Sequence, residues 1–302
     1  MSKLRDHGRY PYSAITKRPA YDWPGGKRLA VYFGLNLEHF AFGEGLGAAL
    51  GPASPHPDVL NHSWREYGNR VGAWRMLDLF ETLKVPAGVI LNTAMYDHAP
   101  ELVEAFAKRG DEMIGHGHTN SHRQGAMSEA EERALLVSCR DRIAQASGTA
   151  PRGWLSPWIS ESAVTPDLLA ECGYRYTLNW CHDDQPTRFA VRHSRENGNP
   201  SLWSIPYPQE LNDIPMIVAR QMDGRDFADL IVDNFDEMLA QSKGQPLVMG
   251  IAMHAYILGQ PYRLRHLRRA LQHIASAKEA WITTPGAILD HIESLPAGVI
   301  PE

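Results

Sequence analysis

The chain predicts an α/β fold, a parallel sheet with crossover helices rolled into one barrel-like domain of about seven strand–helix units. Three observations carry this. Short apolar runs of strand length alternate with helical patterns along nearly the whole sequence, as parallel strands joined by helices do. No break in composition divides the 302 residues, and single α/β barrels reach that length. The unusual polar residues follow the ends of the apolar runs, where such barrels carry their chemistry.

The elements follow in order. Residues 1–20 form a polar arm, 21–295 the barrel domain and 296–302 a short tail. The turn signal Pro24-Gly25-Gly26 precedes a strand over 28–36, RLAVYFGLN. A Gly-, Pro- and His-containing stretch from about 39 to 67 comes next, then a helix over 71–83 with Val71, Trp74, Leu77, Leu79 and Phe80 on one face. Strands are predicted over 85–91, 112–114, 153–155, 174–178, 202–205, 246–253 and 280–282. Helices are predicted over 101–107, 128–146, 166–172, 227–239, 264–275 and 285–292. The helix at 128 opens Ser-Glu-Ala-Glu, a capping box with Ser128 at the N-cap and Glu131 at N3. The polar segment 193–200, HSRENGNP, reads as a surface loop.

Bulk properties exclude some partners. A net charge of −5 with no Lys/Arg run argues against nucleic acid. The first residues lack the apolar core of a secretory signal, and no apolar run approaches the roughly 20 residues that span a bilayer. Cys139, Cys172 and Cys181 are odd in number, with no CxxC spacing, which favours a reducing compartment. A cytoplasmic protein acting on a small molecule, with neither membrane nor nucleic acid as partner, is the expectation.

The polar residues at the strand ends make an enzyme the expectation too. The first strand runs into Asn36-Leu37-Glu38-His39 and the second into Asn92; the third runs into Gly115-His116-Gly117-His118-Thr119-Asn120-Ser121-His122. His118 and His122 are four apart, a spacing common in metal ligands. By itself such a pair is more often a loop pair satisfied by solvent or backbone. Glu38, at the end of a neighbouring strand, supplies a carboxylate, and two imidazoles with one carboxylate make a metal site with open positions. His116 is read as holding the loop. His254 ends the run PLVMGIAM, where an imidazole suits proton transfer near neutral pH; a satisfied core histidine is the alternative. Trp158, after Pro157, is read as a pocket wall, and Asp183 and Asp184 as site residues or turn formers.

At these positions the chain resembles the polysaccharide deacetylase (NodB-homology) superfamily, over roughly residues 20–290. That family's His-Ser/Thr-x-x-His metal motif is met by His118-Thr119-Asn120-Ser121-His122. Its Arg-x-Pro-Trp motif is met in part by Pro157-Trp158, with Arg152 upstream, and its late catalytic histidine by His254. Its first motif, Thr-Phe-Asp-Asp, is replaced by Asn36-Leu37-Glu38-His39. In one register Glu38 is the base and His39 a ligand; in the other Glu38 is the ligand and Leu37 stands in the base position. The stretches NLEHF, YGNRVGAWRMLDLF, DDQP and HAYILGQPYRL look like the intracellular branch of allantoinase and cyclic imide hydrolases.

The resemblance implies a deformed, TIM-like (β/α) barrel and a homo-oligomer, a dimer or tetramer. It implies hydrolysis of a non-peptide carbon–nitrogen bond, foremost in a small cyclic imide or ureide. A divalent metal (Zn, or Mn, Co or Fe) held by Glu38, His118 and His122, with His39 as alternative ligand, would activate water. Metal-independent catalysis is the other possibility, since the branch's allantoinase works without metal. His254 would be the acid, with Glu38 and Asp184 assisting, and Trp158, Asn92, Trp180, Asp183 and Gln185 would bind substrate. N-deacetylation of an acetylated saccharide is the first alternative, and a ligand-binding barrel without catalysis the last.

Overall fold

A computed structural model describes residues 6–44, 57–192 and 201–300. The predicted loop 193–200 lies outside the described residues. Nine strands form one curled sheet: β1 (Leu29–Leu37), β2 (Gly88–Leu91), β3 (Glu112–Gly115), β4 (Gly153–Trp154), β5 (Tyr176–Thr177), β6 (Thr187–Phe189), β7 (Leu202–Ser204), β8 (Leu247–His254) and β9 (Ala280–Thr283). The order is β6-β7-β5-β4-β3-β2-β1-β8, with β9 also pairing β1. All pairs are parallel except β6 with β7. The fold is the deformed barrel of a single domain, with nine strands among the described residues against about seven expected strand–helix units and eight expected strand segments. The extra antiparallel strand β6 falls in Thr187-Arg188-Phe189, too short a run to show a period.

Ten helices are described: α1 (Val59–Tyr67), α2 (Ala73–Leu83), α3 (Met95–His98), α4 (Pro100–Lys108), α5 (Glu129–Ser147), α6 (Thr165–Glu171), α7 (Gly224–Gln241), α8 (Ala255–Leu258), α9 (Pro261–Ser276) and α10 (Pro285–Ser294). The Gly-, Pro- and His-containing stretch from 39 to 67 holds α1, which no helical pattern announced; its part 45–56 lies outside the described residues. The α5 capping box forms as predicted, with Ser128 and Glu131 bonding reciprocally. None of these helices is long and apolar enough to cross a membrane. The described part of the arm is pinned to the barrel: Arg9 forks onto Asp167 and Arg18 onto Asp183.

Strand periodicity sorts the core into two sides. On β1, Val31, Phe33, Leu35 and Leu37 pack under the helices α2 and α9, while Ala30 and Tyr32 point into the barrel with Ile90, Ile114, Tyr176 and Val248. Every β1 residue is buried, so each large apolar side chain contributes about 1.5–3 kcal/mol by leaving water. Size matching fills the interior. A Cβ at Gly250 would stand 2.6 Å from the Tyr32 hydroxyl oxygen, so a methyl there evicts the ring.

Among the described residues the sheet does not close strand to strand. Irregular backbone lies along the free edge of β8 instead: Val248 donates to the carbonyl of Asp184, and Ala252 to that of Leu211. The register of β1 with β8 sets Leu29 beside Leu247 and Asn36 beside His254. That register brings the residue just past β1, Glu38, to the same rim as His254.

Candidate active site

Alternation decides which polar residues enter the barrel. Residues sharing a face recur every second position along a strand. On β1 the inward series Ala30, Tyr32, Gly34, Asn36 continues to Glu38; on β2 it runs from Ile90 to Asn92, on β3 from Ile114 to His116, and on β8 from Ala252 to His254. These series meet at the carboxyl rim around a cavity of about 290 Å³ lined by Glu38, His116, Asn120, Trp158, Tyr207 and His254 among others.

Glu38, 7% exposed, is the hub. Its Oε1 accepts from the Asn120 carboxamide nitrogen at 2.7 Å and is 3.4 Å from His116 Nε2 and 3.5 Å from His254 Nε2. Its Oε2 is buried without a hydrogen-bond partner. Burial alone would raise the Glu38 pKa, but His254 and His116 outweigh it and hold the carboxyl at about 2.

His254 is backed by a residue the sequence reading missed. Asp213, fully buried, accepts from the His254 backbone N–H at 2.7 Å and meets His254 Nδ1 at 2.6 Å. An acceptor of both N–H groups sits there as the carboxylate. Burial lowers the His254 pKa, yet Asp213 and then Glu38 overcome it and raise the ring to about 10. At neutral pH His254 is an imidazolium with its Nε2–H toward Glu38. No motif marks Asp213, which stands at the N-cap of the π-helical turn Ile214–Ala219; its backbone neighbour Asn212 bridges to Ala252 of β8.

The segment after β3 is held from several sides. His116 Nδ1 donates to the Leu155 carbonyl at 2.6 Å, which leaves Nε2 facing Glu38. Asn92 donates to the carbonyl of His116 and to Asn120 Oδ1, and its own oxygen accepts from the His39 N–H. Turning the Asn120 carboxamide over would set oxygen against oxygen at Glu38 and nitrogen against nitrogen at Asn92. Trp158 donates from Nε1 to the Asn120 carbonyl at 2.8 Å. Trp158 and Ile159 have φ of 60° and 52°, left-handed values that cost non-glycine residues about 1–3 kcal/mol each. The bond to Asn120 and the edge contact with Phe40 offset that strain and keep the indole as a wall of the cavity.

Several expected placements are corrected. His118 and His122 are exposed; their Nδ1 atoms contact Thr93 and Thr119 hydroxyls, not Glu38. The strand ends at Gly115, so the inward position falls to His116, and Asn120 takes the place one helical turn on. His116 is thus a cavity residue as well as a loop anchor. Leu37 packs in the core, so it occupies no base position. Asp183, Asp184 and Gln185 lie at the amino end of β8: Asp183 pairs Arg18, Asp184 is exposed with its carbonyl on Val248, and Gln185 donates to the Pro246 carbonyl. Strand rise puts that end roughly 20 Å from His254. Trp180 donates to Glu161 and packs edge-on to Tyr10 and Phe189, outside the cavity lining. Asn92 orders the rim without lining the cavity. Arg152 pairs Asp290 and takes no part.

The metal expected from the resemblance does not fit the cavity. Glu38 Oε1 is already met by a carboxamide N–H, a donor group that a cation would repel, and Glu38 with His118 and His122 forms no cluster of ligand atoms. Among the described residues, the His/Glu group that does gather ligand atoms within 4.8 Å is His39, Glu66 and His98. His39, the alternative ligand, therefore joins a ligand-type cluster, but not with Glu38.

A family profile for polysaccharide deacetylases matches residues 66–177. A protein of Schizosaccharomyces pombe (strain 972) described as a putative polysaccharide deacetylase is 28% identical over 285 residues, 87% of this chain and 89% of that one. The crystal structure of PuuE allantoinase superposes with a TM-score of 0.79 at 26% identity, covering 94% of this chain and 98% of that one. A probable polysaccharide deacetylase from Pseudomonas aeruginosa PAO1 gives 0.81 at 26% identity, over 93% and 97%. Fold and these likenesses agree: the chain resembles the polysaccharide deacetylase (NodB-homology) superfamily and is a hydrolase of carbon–nitrogen bonds other than peptide bonds.

Proposed function

We propose that the chain opens a small cyclic imide or ureide by hydrolysing a ring amide bond, with Glu38 as general base and His254 as general acid. The observation that carries this reading is the facing pair itself: a buried carboxylate held ionised and a buried imidazole held protonated, 3.5 Å apart at one cavity. Glu38 Oε2, without a partner, is the atom free to take a proton from water. The hydroxide so formed attacks the ring carbonyl. As the C–N bond breaks, His254 Nε2 gives its proton to the departing nitrogen, which stays tethered as the other end of the opened ring. Return of the proton from Glu38 to His254 across their contact resets the pair.

The cavity suits a small molecule. Its volume is at the lower end of ligand pockets, which run about 300–1,000 Å³. Trp158, Ile159, Ile214 and Pro215 supply an apolar wall, and Gln209 and Asn212 bring carboxamides able to match alternating C=O and N–H groups. The likeness to PuuE allantoinase supports the ring-opening reading. The likenesses to proteins named polysaccharide deacetylases support a second reading, removal of acetyl from an N-acetylated sugar by the same pair.

Turnover of succinimide, hydantoin, allantoin, dihydrouracil and N-acetylglucosamine separates the two. Ring opening without acetate release is the expected result. Acetate release alone would transfer the assignment to the sugar, and saturable binding with no product would leave a ligand-binding barrel. The predicted homo-oligomer is part of this reading; light scattering that gave a monomer mass would remove it.

A further inference from the structure

We infer that His39, Glu66 and His98 form a site for a divalent transition-metal ion, separate from the cavity around Glu38 and His254. Their ligand atoms lie within 4.8 Å of one another and come from three elements: the loop after β1, helix α1 and the last residue of α3. His98 Nε2 is 2.9 and 3.0 Å from the two oxygens of Glu66, so the carboxylate presents both oxygens to one point. The rings of His39 and His98 are 4.4 Å apart, centroid to centroid. His39 Nδ1 is buried with no hydrogen-bond partner. Two imidazoles and a carboxylate, with one position left for water, are the donor set of Zn²⁺ and of Co²⁺ or Ni²⁺ rather than of Mg²⁺ or Ca²⁺.

The site bears on the reaction through the chain, not through the metal. His39 directly follows Glu38. The His39 N–H donates to Asn92, and its carbonyl accepts from the Asn120 N–H. Asn69, just past α1, donates to the Glu38 carbonyl. An ion on His39, Glu66 and His98 would fix the His39 ring, whose Nδ1 has no hydrogen-bond partner. Its role is to position the Glu38 loop, and binding of the ion can be read apart from the chemistry at Glu38.

Tag-free protein, stripped with chelator and titrated with Zn²⁺ by calorimetry, with Co²⁺ absorption as a second readout, tests this. One equivalent is expected to bind, with a rise in Tm and the visible bands of Co²⁺ in a low-symmetry nitrogen–oxygen field. His98→Ala and Glu66→Gln should weaken Zn²⁺ binding by at least about tenfold and remove the Co²⁺ bands. The double variant His118→Ala/His122→Ala and Glu38→Gln should leave both unchanged. Loss of binding in the His118/His122 variant but not in His98→Ala would overturn the site, as would no binding by the stripped wild-type protein. Circular dichroism of His98→Ala, whose changed residue is exposed, confirms that the comparison is between folded proteins. Because binding is read without substrate, failure here leaves the ring-opening proposal standing, and failure of that proposal leaves the site.

Discussion

His254 stands between two buried carboxylates, with Nδ1 2.6 Å from Asp213 and Nε2 3.5 Å from Glu38. The two contacts differ in purpose. Asp213 also takes the His254 backbone N–H, so it fixes the ring's orientation and its proton on Nδ1. Glu38 is reached by the other nitrogen, on the cavity side. A buried charge without partners would cost several kcal/mol; here Asp213 and Glu38 keep His254 charged, and His254 with His116 keeps Glu38 charged.

Replacing Glu38 by Gln keeps the shape and removes the base. We expect kcat/KM for ring opening to fall by at least about 10²-fold, with the fold retained by circular dichroism. A loss under about tenfold would mean that the base lies elsewhere.

Asp213→Asn removes the group that does most to raise the His254 pKa. The alkaline limb of kcat/KM should move down from near pH 10 toward the ordinary histidine range near 6.5, and turnover at pH 8 should fall by about 10²-fold or more. An unshifted limb would show that His254 is not the acid seen in the profile.

Stability should follow the same two groups with opposite signs. The Glu38 pKa is held at about 2, below its ordinary 4.5, so its contribution is present above about pH 4.5 and lost as pH falls through about 2. The His254 pKa is raised to about 10, so its contribution is complete below about pH 6.5 and lost as pH rises through about 10. Chemical denaturation from pH 5 to 10 should show stability declining across the upper part of that range in wild type and less steeply in Asp213→Asn.

The three histidines of the GHGHTNSH segment should not behave alike. His118→Ala and His122→Ala change exposed side chains and should leave kcat/KM within about twofold and stability within about 0.5 kcal/mol. His116→Ala strands the buried Leu155 carbonyl and should cost about 1–3 kcal/mol of stability, with a clear loss of turnover. Asn120→Asp sets a second carboxylate against Glu38 and should raise the acid limb of the profile.

Asp184→Ala should be silent in kcat/KM, within about twofold, because the side chain is exposed at the far end of β8. A loss of tenfold would contradict the placement of the site at the carboxyl rim.

What the sequence by itself determined was the period. Alternating apolar runs and helical faces depend on local burial, so the α/β fold, the α5 capping box and the two rim residues Glu38 and His254 were legible before any contact was known. The exact strand ends were not, and they decide the site. Because β3 stops at Gly115, the inward position after it is His116; two residues later the backbone has left the sheet, and His118 and His122 reach solvent despite their ligand-like spacing. Only tertiary structure could bring Asp213, from a helix cap without a motif, against His254, or place DDQP at the opposite end of the strand that carries His254. Side-chain type and spacing propose partners along one element. Which groups face each other across the barrel is decided by register and by the point at which each strand releases the chain.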